Sequence, residues 1–78
     1  MCYVYILLCA DNKFYVGHTM NIKKRIQEHK SGVSFSTKHR LPIKIKWIGV
    51  FTTRQKAVNF ESYLKTGSGK AFRNKRLI

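Results

Sequence analysis

The sequence predicts a small α+β fold: a three-stranded antiparallel sheet flanked by helices, in the order ββαβα with a short C-terminal helix. Three observations lead there. Residues 3–9 form an unbroken run of β-branched, aromatic and other apolar residues that ends at turn residues. Residues 43–47 alternate apolar and polar. Two further segments carry apolar residues at helical spacing. With 78 residues, 44% of them hydrophobic, the chain is expected to fold as one domain over residues 1–78.

Each element has a local cause. Tyr3-Val-Tyr-Ile-Leu-Leu-Cys9 reads as a strand. Asp11, Asn12 and Lys13 supply a turn, and Phe14–Gly17 is short and β-prone, so an antiparallel hairpin follows. A helix comes next, capped by Thr19 or Asn21 and ended by Gly32, with Ile22, Ile26 and His29 on one face. Residues 33–41 are polar and aperiodic, and read as a loop. Ile43-Lys-Ile-Lys-Trp47 reads as a third strand continuing to Phe51, its apolar face inward and Lys44 and Lys46 outward. Thr52 and Gln55 have capping-box spacing and open a second helix to about residue 65. Gly67-Ser-Gly69 is expected to break it, and residues 71–76 to form a last short helical turn.

Charge narrows the function. Sixteen Lys and Arg against three Asp and Glu give a formal net charge of +13, which repels itself unless a polyanion is near. Nucleic acid is the first candidate, since phosphate neutralisation supplies most non-specific affinity. The basic residues are spread along the chain and do not form one amphipathic face, which argues against a membrane surface. Cys2 and Cys9 lie seven residues apart, on opposite faces of a strand and too distant to bridge. Free thiols indicate a reducing compartment, hence the cytoplasm. No span of membrane length and no signal peptide is read.

The three acids carry unequal meaning. Asp11 suits a turn, and Glu28 suits a solvated ion pair with Lys24 or Arg25. Glu61 shares the apolar face of Ala57, Phe60 and Leu64, where a carboxylate is costly unless paired or bound to a metal. Two readings stay open for it: an ion pair with a neighbouring cation, or a ligand for a hard cation such as Mg²⁺. Two-metal nucleases hold ions about 3.5–4 Å apart among several carboxylates, and this chain lacks them. A nuclease here uses one metal, and its attacking water is activated by something other than a carboxylate. Tyr15, His18 and Arg25 are candidates for that work. A tyrosine serves as a base only beside positive charge, and an arginine clamps phosphate bidentately. Gly67-Ser-Gly-Lys70 is only a fragment of a phosphate-binding loop, so ATP binding is rejected. With Lys70, Arg73, Lys75 and Arg76 close by, this stretch still suits a nucleic-acid backbone.

Together these residues resemble the GIY-YIG nuclease superfamily, and in particular its small stand-alone bacterial members. Tyr3-Val4-Tyr5 stands where the family has GIY and Tyr15-Val16-Gly17 where it has YIG. Asn21–Arg25, His29, Ala57–Glu61 and Leu64–Arg73 fit in order, so the likeness covers nearly the whole chain. Tyr3 replaces the glycine of GIY. The resemblance implies a metal-dependent DNA endonuclease with one divalent ion, Mg²⁺ or Mn²⁺, held by Glu61. It implies Tyr15 as general base or relay, and Tyr5 as a hydrogen-bonding wall of the site. Arg25 would stabilise transition-state charge, and His29 would position phosphate or move protons. His18 would assist Tyr15. Lys24, Lys70, Arg73, Asn74 and Arg76 would contact nucleic acid, with Asn74 matching a late asparagine of some members. Larger relatives attach a DNA-recognition domain that this chain lacks, so low sequence specificity or an unseen protein partner is expected, on a monomer. The rival reading is a basic module that holds nucleic acid without cutting it.

Overall fold

The computed structural model describes all 78 residues. β1 (Cys2–Leu8), β2 (Phe14–Thr19), α1 (Ile22–Lys30), β3 (Lys44–Phe51), α2 (Arg54–Leu64) and α3 (Gly67–Arg76) follow in that order. The sheet is antiparallel in the order β2-β1-β3, so the first strand is central and the other two are edges. The predicted α+β class and element order hold, including a helix at the end.

Period-two alternation along β1 builds two cores, one on each face of the sheet. Cys2, Val4 and Ile6 join Val16, Ala57 and Leu64 under α2, with Phe14, Trp47, Phe51, Phe60 and Leu77 around them. Tyr5 and Leu7 join Ile26 of α1 on the opposite face, with Ile22, Tyr15 and Ile43 beside them. Asn21 caps α1, its side chain accepting from the Lys24 backbone N–H at 3.1 Å. In the hairpin, Asn12 takes φ 62°, a conformation Asn tolerates. Asp11 reaches beyond its own turn: its carboxylate meets Arg40 Nε at 2.9 Å and so ties the hairpin to the loop before β3.

Four local expectations change. β2 runs past Gly17 to Thr19, so Gly17 lies inside a strand. In β3, Ile6 pairs with Trp47 but Leu7 pairs with Ile45, which leaves Lys46 as a bulge residue. The bulge resets the alternation, so Ile45 and Trp47 occupy opposite faces. Trp47 packs against Phe60 at 5.7 Å between ring centroids, whereas Ile45, Ile48 and Val50 remain 38–58% exposed. The α2 cap is Thr53, accepting from Lys56 N–H, and Gln55 donates to Asn59 instead of closing a capping box. Finally, Gly67-Ser-Gly69 starts α3. Thr66 caps that helix through the Gly69 N–H at 3.0 Å, and a Cβ on Gly69 would lie 1.7 Å from the Tyr63 carbonyl oxygen. The glycine is there because α3 starts against the end of α2.

Candidate active site and groove

The site is built around a close packing of aromatic rings over one glycine. Tyr5 and Gly17 are direct cross-strand partners. The Tyr5 ring lies over Gly17, where a Cβ would come within 2.5 Å of the phenol oxygen and 3.1 Å of a Tyr15 ring carbon. What approaches closely at this glycine is therefore the first tyrosine of the motif. Tyr5 is buried, and that burial, offset in part by the Arg25 guanidinium beside it, pushes its pKa up to about 12. Tyr5 thus keeps its proton near neutrality.

The Tyr5 hydroxyl is shared with His29 Nε2 at 2.9 Å, and His29 Nδ1 is shared with the Thr37 hydroxyl at 2.6 Å. His29 and Thr37 are both fully buried. Burial, and then the Arg25 charge, hold the imidazole below its ordinary pKa, so it is neutral. With no exposed surface and both nitrogens engaged, His29 acts through Tyr5. Thr37 is a member of the constellation that sequence reasoning missed. It sits in the polar stretch read as a plain loop, where Ser34–Arg40 forms hydrogen-bonded turns that carry its hydroxyl inward. Its one available signal, a threonine near a helical histidine, is too common to single out.

Arg25 stands on α1 beside both phenols. Burial works against its charge, but the Tyr5 and Glu28 side chains more than offset it, so the guanidinium stays protonated. Glu28 pairs with it at 3.2 Å, as its spacing predicts.

Glu61 approaches from the opposite face. The carboxylate is largely buried between two side chains: His18 Nδ1 contacts one oxygen, and Lys65 Nζ sits 2.6 Å from the other. Burial works against ionisation, and Lys65 and His18 outweigh it, holding the Glu61 carboxyl below the usual range. His18 therefore serves Glu61. The expectation that it assists Tyr15 fails on strand parity, because residues three apart on β2 face opposite ways. The two halves nevertheless meet. His18 directly follows Gly17 on an edge strand, and the Glu61 charge is felt at the Tyr5 phenol.

A cationic groove runs along the open edge of β2. One hollow of about 190 Å³ is lined by Phe14, Tyr15, Val16, Leu64, Lys65, Lys70 and Arg73. A second of about 460 Å³ continues it past Lys13 and Asn74, sharing Phe14, Lys70 and Arg73. Arg73 stacks over the Phe14 ring at 4.8 Å. Lys70, Arg73 and Asn74 thus gather as expected, while Lys24 and Arg76 are exposed and do not line the groove. Lys13 and Lys65 were not foreseen, because a hairpin lysine and a helix C-cap lysine look like ordinary surface charges.

No cluster of three or more His, Cys, Asp or Glu side chains is present, so any cation here would rest on Glu61, with His18 the nearest second group. That donor set suits Mg²⁺, which keeps most of its waters and takes one or two carboxylates plus phosphate oxygens. It requires Lys65 to leave the second oxygen. With a side chain 58% exposed, Lys65 has the freedom to do so.

Comparison with known proteins agrees with this layout. A family model described as the GIY-YIG catalytic domain matches residues 1–76. A UPF0213 protein of Bacillus licheniformis is 39% identical over 69 residues, spanning 87% of this chain and 71% of that protein. A UPF0213 protein of Clostridium perfringens is 38% identical over 78 residues, spanning 99% and 80%. The solution NMR structure of a UPF0213 protein from Bacillus halodurans superposes with a TM-score of 0.61 at 30% identity, covering 96% of this chain and 84% of that one.

Proposed function

The chain belongs to the GIY-YIG catalytic-domain family, and from that premise we propose that it is an endonuclease that hydrolyses phosphodiester bonds in DNA with one divalent ion at Glu61. The observation that carries the reading is the meeting of unlike groups at one strand edge. A buried tyrosine–histidine cluster and a largely buried carboxylate flank Gly17 and His18, and a groove lined by Lys13, Lys65, Lys70 and Arg73 adjoins them.

Each side chain then has a task suited to its surroundings. Lys70, Arg73 and Asn74 hold the backbone of the strand. Tyr5, buried, protonated and fixed by His29, forms the wall of the site against which Tyr15 and Gly17 are held. Tyr15, on the groove wall, takes the proton of that water as general base or relay. Arg25, beside both phenols, stabilises the charge that develops on the phosphoryl oxygens. When bound, Mg²⁺ or Mn²⁺ supplies Lewis-acid polarisation of the phosphate. The attachment of Glu61 to Lys65 and His18 keeps the non-cutting alternative in view, because a carboxylate paired in this way also suits a purely structural role in a nucleic-acid-binding module.

The test is incubation of purified protein with plasmid and with single-stranded DNA, with Mg²⁺ or Mn²⁺ and with chelator. Metal-dependent nicking that disappears in Glu61→Gln supports the nuclease. Nicking that survives in Glu61→Gln removes the metal assignment. Salt-sensitive binding with no cutting under any condition selects the binding module.

A further inference from the structure

Resting on the nuclease reading above, we propose that Lys65 is a substrate-phosphate ligand that covers Glu61 in the free protein, so that a phosphate entering the groove releases the carboxylate to a divalent cation. Two independent placements support the exchange. Lys65 is the C-cap of α2, one turn beyond Glu61, and its ammonium lies 2.6 Å from Glu61 Oε2. The same residue lines the hollow that holds Tyr15, Lys70 and Arg73. One flexible cation is thus shared between the carboxylate and the groove.

The two partners differ in mobility. The Glu61 side chain is 15% exposed and fixed on its other oxygen by His18, whereas the Lys65 side chain is 58% exposed on a four-carbon stem. An ion pair this open is weak and readily exchanged. A phosphodiester among Lys65, Lys70 and Arg73 offers the ammonium a new anion. It also brings negative charge toward Glu61, which then requires a replacement cation. Phosphate and divalent ion therefore bind with positive coupling, and the coupling is reciprocal. Without DNA the carboxylate is capped by a protein charge, which disfavours metal loading ahead of substrate.

Paramagnetic broadening of the Glu61 backbone amide by Mn²⁺, followed by NMR on the full chain, reads the exchange directly and independently of cutting. A short phosphorothioate oligonucleotide, resistant to hydrolysis, should lower the Mn²⁺ concentration needed for half-broadening in the wild type by about fivefold. Lys65→Met, or Lys65→Gln as a second neutral variant, should show that lower requirement without DNA, with little further gain on adding it and with weaker DNA binding. Lys65→Arg keeps the pairing charge and should behave like wild type. A neutral variant that needs as much Mn²⁺ as wild type and keeps the full effect of DNA overturns the exchange while leaving the nuclease reading intact. Unchanged broadening at residue 61 in Glu61→Gln overturns the metal assignment and the exchange with it.

Discussion

Gly17→Ala tests the packing on which the site depends. The added methyl would sit 2.5 Å from the Tyr5 oxygen and 2.7 Å from its Cζ, inside any real contact distance. Tyr5 has little room to yield: it is 1% exposed and anchored to His29, itself 0% exposed. Forcing a methyl into such a core costs about 1–3 kcal/mol. If the phenol swings away, the buried His29 nitrogen loses its partner, adding a comparable penalty of about 1–3 kcal/mol. A net loss of about 2–6 kcal/mol is expected against a total stability of about 4–12 kcal/mol for a chain this size. Urea unfolding, followed by far-UV circular dichroism and Trp47 fluorescence, measures it, and the melting temperature should fall by about 10 °C or more. Gly67→Ala is the matched control. A Cβ there meets nothing within 4 Å, so that variant should be neutral or gain up to about 1 kcal/mol. A Gly17→Ala protein within about 0.5 kcal/mol of wild type, cutting DNA at the same rate, would refute the stacking of Tyr5 on Gly17.

Other consequences are equally open to measurement. His29 is held below its ordinary pKa, so the unfolded chain binds a proton that the folded one refuses. Stability should be full above about pH 6.5 and fall on acidification by up to about 1.4 kcal/mol per pH unit. The carboxyls of Glu61 and Asp11, also held low, act only below about pH 4.5, so urea midpoints between pH 7.5 and 5 read the histidines, and the difference between wild type and His29→Gln isolates this one; a difference that does not vary with pH contradicts the buried neutral ring. Thr37→Val strands His29 Nδ1 and should cost about 1–3 kcal/mol, whereas Thr37→Ser keeps the hydroxyl and should lose clearly less; equal losses would mean the hydrogen bond is unimportant. Replacing Lys70 and Arg73 by alanine should lower the slope of log DNA affinity against log salt by about 1 each, while Lys44→Ala, on the far edge of the sheet, should leave it nearly unchanged.

Much of this layout was legible in the sequence because short-range rules governed it. The β1 run, the hairpin turn, the Asn21 cap and the face shared by Ile22, Ile26 and His29 depend on neighbours a few residues away. The family pattern named Tyr5, Tyr15, Arg25 and Glu61 in order. What the sequence hid depends on register and on distant contacts. The Lys46 bulge turns a clean alternation into two half-strands with opposite faces. Thr37 enters the site only because the loop folds back under α1. The partner of His18 is Glu61 and not Tyr15, because its role is set by strand parity and by a carboxylate 43 positions away. A carboxylate on the Glu61 face needs compensation, and Lys65 and His18 supply it.

The two edges of the sheet also bear on how copies of the chain behave toward one another. An unpaired edge strand is a template for further strand pairing, and proteins commonly guard against this with charge. Along β2 the guard is Lys13, Lys65, Lys70 and Arg73, the same cations that form the groove. The attraction that draws in a polyanion and the repulsion that keeps a second copy away are one electrostatic field. Along β3, where Ile45, Ile48 and Val50 stand partly bare, the defence is the Lys46 bulge, with Lys44 beside it. Added salt screens both edges, so DNA affinity and resistance to self-association should decline over the same range of ionic strength. A solution kept salty to suppress non-specific binding would then be one in which the protein most readily aggregates.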